Sequence, residues 1–86
     1  MSRNVLTVLV GRRSKSAINV QKILTTWGCL IKTRLGIHDG VLNKCSDHGL
    51  IILELVGEQK KQEKLTLLLD TLPGVSAKLV ELSLEK

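Results

Sequence analysis

The chain predicts a small α+β domain built from two copies of one plan, and three observations point to it. An apolar strand run, an amphipathic helix and a second strand run follow one another twice, over 5–10, 16–27 and 29–37 and again over 50–56, 59–72 and 75–84. The second helix must stop at Leu72-Pro73-Gly74-Val75, because proline lacks an amide hydrogen and disfavours helical geometry in the residue before it. Finally, 86 residues with no break in composition leave room for one domain, 1–86, and one core.

The elements follow in order. In the first strand, alternation puts Leu6, Val8 and Val10 on one side and Val5, Thr7 and Leu9 on the other. Ser14 or Ser16 can cap the first helix. Ala17, Val20, Leu24 and Trp27 then recur at helical spacing with Ile23 beside them, and Gly28 offers a left-handed residue to end the helix. This makes Trp27 a core residue or an interface wedge. Cys29 opens the second strand as a small buried hydrophobe, and Lys32 and Arg34 share a strand face, with Glu54 across from Arg34 on the neighbouring strand. Residues 38–48 hold Asp39-Gly40, Asn43, Ser46 and Asp47 and read as a long hairpin loop. In the third strand Ile51, Leu53 and Leu55 oppose Leu50, Ile52, Glu54 and Val56; in the second helix Leu65, Leu68, Leu69 and Leu72 form the apolar stripe.

Two strand-helix-strand units with right-handed crossovers give a four-stranded antiparallel sheet with both helices on one face. This is the ferredoxin-like βαββαβ fold. The first and third strands are apolar on both sides, so helices on one face leave the other uncovered. A homo-oligomer, dimer or tetramer, formed through that face is therefore expected, with Leu50, Ile52, Glu54 and Arg34 at the interface.

Composition narrows the functions. Thirteen Lys and Arg against eight Asp and Glu give a formal charge of +5, which favours anionic partners. Neither Phe nor Tyr occurs and Trp27 is the one aromatic, so the bases of a single strand have nothing to stack on, which argues against nucleic acid. No apolar run is long enough to span a bilayer, no apolar leader precedes the first strand, and the cysteines form no paired motif; a reducing cytoplasm is the expected setting. No constellation suited to catalysis stands out, and no cofactor is called for.

Two candidate sites remain. Gly11, Arg12, Arg13 and Ser14 join the first strand to the first helix, where free amides, the helix dipole and two guanidinium groups suit a small anionic ligand. The spacing is not that of a phosphate loop. His38, Cys45 and His48, with Asp39 and Asp47, crowd one loop and suit zinc, nickel or iron by type but match no established metal spacing. A metal-binding sensor built on that loop, or a basic protein associated with nucleic acid, is the alternative to a small-ligand module.

Asn4-Val5-Leu6-Thr7-Val8, Val20-Gln21-Lys22-Ile23-Leu24 ending at Trp27-Gly28, Arg34-Leu35-Gly36-Ile37 and Leu72-Pro73-Gly74-Val75-Ser76 follow in an order that resembles the regulators of the iron-only hydrogenase system. The resemblance spans nearly the whole chain and departs after Ile37, where His38 stands in place of a Pro and the loop to Gly49 is longer. That family resembles ACT domains and the ligand-binding domain of the nickel-responsive repressor. The resemblance implies an oligomeric, non-enzymatic regulatory module acting on a partner protein, with an effector near the first strand-helix turn.

Overall fold

The computed structural model describes residues 1–11, 14–38 and 49–84. Strand β1 (Ser2–Val10) leads to helix α1 (Ser14–Thr26), strands β2 (Ile31–His38) and β3 (Gly49–Leu55), helix α2 (Gln59–Asp70) and strand β4 (Val75–Ser83). The sheet order is β2-β3-β1-β4 and every pairing is antiparallel, so each strand-helix-strand unit straddles a strand of the other unit. This is the ferredoxin-like α+β arrangement expected from the sequence.

Strand alternation sorts the side chains as predicted on β1 and β3. Leu6, Val8 and Val10 of β1, Ile51, Leu53 and Leu55 of β3, and Val75 and Ala77 of β4 are buried together. From the helices Val20, Leu24, Leu65 and Leu69 complete this core, with Ala17, Ile23, Trp27 and Leu72 packed against its margin. Trp27 thus belongs to the core layer and is half-buried there. With no aromatic at its centre, the interior is an aliphatic fill whose largest fully buried side chains are leucines.

Local details differ from the sequence reading in five places. Gly28 does not adopt a left-handed conformation; Gly28–Leu30 form a short 3₁₀ turn that delays β2 to Ile31 and leaves Cys29 exposed rather than buried. The turn is held because Leu30 donates to Trp27 O and accepts from Val56 N at 2.7 Å. Ser16 is no cap: it is buried within the first turn of α1, and its hydroxyl donates to Pro73 O. Helix α2 ends at Asp70 instead of 72, where Asp70 Oδ1 accepts from Ala77 N at 2.9 Å and draws the chain into β4. In the α2 stripe Leu68 is exposed, and Gln62 takes the buried position one turn before Leu65. A β-bulge between Ile31 and Thr33 shifts the register of β2, so Thr33, not Arg34, lies across from Glu54.

Candidate functional site

The sequence leaves three places to inspect: the first strand-helix turn, the loop after β2 and the uncovered sheet face. Gly11 N donates to Gly74 O at 2.8 Å, and a Cβ on Gly11 would stand 3.0 Å from that same backbone oxygen, so the start of the turn is pressed against the chain reversal before β4. A side chain there would press on backbone, which would have to give by a few tenths of an ångström. Gly74 itself has φ +74°, a left-handed geometry that glycine adopts without strain. With the Ser16 hydroxyl on Pro73 O, two hydrogen bonds clamp the amino end of α1 to the Pro73-Gly74 turn. Ser14 is the first residue of α1. Arg12 and Arg13 lie outside the described residues. So do Cys45 and His48, while His38 is the last residue of β2. Among the described residues no three His, Cys, Asp or Glu side chains gather in a way that could hold a metal.

The uncovered face is described in full. Cross-strand pairing lays it out in rows: Ile37, Leu50, Leu9 and Ser76; then Leu35, Ile52, Thr7 and Lys78; then Thr33, Glu54, Val5 and Val80; then Arg3 and Leu82 on β1 and β4. Of the residues expected there, Leu50, Ile52 and Glu54 are present. Arg34 is not. The bulge turns it to the helix side opposite Leu53, where its guanidinium donates to Gln21 Oε1 of α1. Lys32 is the extra residue of the bulge, without a cross-strand partner in the register, and its charge acts on Glu54.

Glu54 is paired instead with Arg3, a residue the sequence reading left out. Arg3 Nε donates to Glu54 Oε2 at 2.6 Å and its Nη2 to Oε1 at 2.7 Å, a bidentate fork. These hydrogen bonds from Arg3 hold the Glu54 carboxyl below the usual carboxylate range; partial burial opposes the shift, and the charges of Arg3 and Lys32 add to it. The Arg3 guanidinium is raised in turn, chiefly by the same bonds. Beside the pair lies a hollow of 470 Å³ whose walls include Val5, Leu82, Leu84 and Met1.

A second polar cluster sits under the same end of the sheet. Asn4, in phase with Leu6 and Val8, is 7 % exposed and donates through Nδ2 to Gln59 Oε1 at 2.8 Å and Gln62 Oε1 at 2.6 Å. Gln62 donates to Gly57 O at 3.0 Å, which fixes its amide and hence the orientation of Asn4. Asn4 Oδ1 is buried with no partner among the described residues. The cluster ties the first turn of α2 to β1. Spacing could have found it, since Gln62 is three and seven residues before the buried Leu65 and Leu69, and Asn4 two before Leu6.

No family model matches the chain, and no curated protein matches it in sequence. Among solved structures, the uncharacterized protein TM1266 from Thermotoga maritima is similar over 96 % of this chain and 100 % of its own, with a TM-score of 0.80 and 26 % identity. It has the same small α+β fold. No helix among the described residues is long and apolar enough to cross a membrane.

Proposed function

We propose that the chain is a non-enzymatic regulatory module that binds a small anion at the turn between β1 and α1 and passes the event to a partner protein. The observation behind this reading is the clamp at that turn. Gly11 and Ser16 bond to the Pro73-Gly74 reversal, so an anion held at the amino end of α1 acts at once on the start of β4, an edge strand open to a partner. The sequence supplies the charge, placing Arg12 and Arg13 between Gly11 and Ser14. The resemblance to regulators of the iron-only hydrogenase system supports the same role, and the exposed thiol of Cys29 suits a reducing cytoplasm.

A thermal-shift screen with inorganic phosphate, carboxylate metabolites, nucleotides and divalent metals tests the reading, because a ligand selective for the folded state raises its apparent stability. Calorimetric titration with the best anion should then show the Arg12→Ala, Arg13→Ala double variant weakened at least about tenfold, with added salt weakening the parent as well. Unchanged affinity in the double variant rejects the turn. A shift produced by a metal alone, lost in His38→Ala and Cys45→Ala, moves the site to residues 38–48.

A further inference from the structure

Both hydrogens of Asn4 Nδ2 are spent on Gln59 and Gln62, so this carboxamide can take a further partner only as an acceptor. Its Oδ1 has no donor among the described residues, and Asn4 is only 7 % exposed. Asn4 also stands in the wall of a 480 Å³ cavity at the start of β1, together with Arg3, Lys32, Gly57, Gln59 and Gln62. A buried acceptor left unpaired costs stability, and a molecule held in this cavity can bring the missing donor.

The charge of the same wall points to an anion. Arg3 and Glu54 cancel in their fork, which leaves Lys32 in excess among the charged residues of the wall. A β-bulge supplies it, since Lys32 is the extra residue in β2. Helix α2, twelve residues long, opens beside the cavity at Gln59, and Glu58 before it makes no capping hydrogen bond; its carboxylate lies 3.9 Å from Lys61 Nζ instead. The positive end of the helix therefore borders the same space. The other acid nearby, Glu63, accepts from Gln59 at 3.3 Å and lies outside the cavity wall.

We infer that this cavity binds a small hydroxylated anion, its carboxylate or phosphate held between Lys32 and the amino end of α2 and its hydroxyl donating to Asn4 Oδ1. Neither half suffices alone. A bare anion offers Asn4 only acceptors, and a neutral polyol leaves Lys32 and the helix end without a counter-charge. The site is distinct from the turn proposed above. Asn4 lies near the start of β1 and Gly11 just past its end, which separates them by roughly 24 Å at ~3.4 Å per residue.

Nitrogen–proton NMR spectra of the full chain, titrated at low salt, test the inference with two matched pairs: lactate against propionate, and glycerol phosphate against propyl phosphate. At least one hydroxylated member should move the backbone signals of Lys32, Gly57 and Gln59 and the side-chain amide of Asn4, and should bind at least about tenfold tighter than its match. The pair that responds tells carboxylate from phosphate. Lys32 is exposed, so Lys32→Gln should leave circular dichroism unchanged while weakening the same titration at least about tenfold. The Arg12→Ala, Arg13→Ala double variant should bind these probes as the parent does, which keeps the outcome separate from that of the turn. No response to either hydroxylated anion, equal affinity within both pairs, unchanged affinity in Lys32→Gln, or loss of binding in the double arginine variant would each overturn the proposal.

Discussion

The two faces of the sheet are built from the same residue types and differ in what covers them. On the helix side Leu6, Val8 and Leu53 are wholly buried; on the other Leu9, Leu35 and Leu82 keep more than half their surface in water. Composition cannot tell these sides apart, because β1 and β3 alternate apolar with apolar. Topology can. Two right-handed crossovers deliver both helices to one side, so identical leucines contribute unequally to folding and the uncovered ones become available for association.

The largest expected effect breaks this comparison on the covered side. Leu53→Ala should cost about 2–5 kcal/mol, since Leu53 is fully enclosed and its neighbours can collapse into the void only in part. Leu35→Ala, measured by denaturant titration at a concentration low enough to keep the chain monomeric, should stay within about 0.5 kcal/mol. Equal losses would mean that the uncovered face is packed within a single chain.

A smaller loss is expected where the covered side turns polar. Gln62→Leu should cost about 1–3 kcal/mol, because it removes the donor to Gly57 O and takes one acceptor from the buried Asn4 amide, whose oxygen has no partner among the described residues. Adding Asn4→Leu should recover part of that loss, since replacing both partners by apolar groups removes the stranded donor as well as the acceptor. A double-mutant cycle by chemical denaturation checks it; strict additivity would mean that the cluster is not coupled. At the margin of the same cluster Gly57 has φ +94°, and a Cβ there would stand 2.8 Å from Leu30 Cδ2. Gly57→Ala should cost about 1–2 kcal/mol, mostly from the backbone, because the Leu30 methyl is the free end of a side chain and can yield.

The covered side was the more legible of the two in the sequence. Apolar runs in 5–10 and 50–56, helical spacing in both helices and the stop at Pro73 suffice for the element order, and the right-handed crossover rule adds the sheet arrangement. What escaped is what alternation cannot encode. A one-residue bulge in β2 carries Arg34 to the helix side and exposes Glu54 to Arg3, a partner 51 residues away. Likewise a 3₁₀ turn, invisible in hydrophobic spacing, brings Cys29 to the surface. Asn4 and Gln62 were passed over because polar residues in phase with leucines look like interruptions, although burial with mutual hydrogen bonds is how such residues enter a core.

The uncovered side yields the subtlest test, through the Arg3–Glu54 ion pair. Glu54 titrates below an ordinary glutamate because it accepts two hydrogen bonds from Arg3, while in the unfolded chain it titrates near its usual value of about 4.3. A carboxyl depressed on folding contributes stability that is fully present above the unfolded value and is lost as pH falls through the folded one. Arg3 stays protonated throughout that window, so the acid dependence belongs to Glu54. Carbon NMR of the Glu54 carboxyl should show the lowered midpoint, and Arg3→Met should return it toward the ordinary value. Because Arg3 is half exposed in the single chain, high salt should shrink the shift in the monomer. If the homo-oligomer expected through this face forms and covers the pair, the shift should resist salt at concentrations where it assembles, and the same spectra recorded across a dilution series then separate the wet face from the closed one.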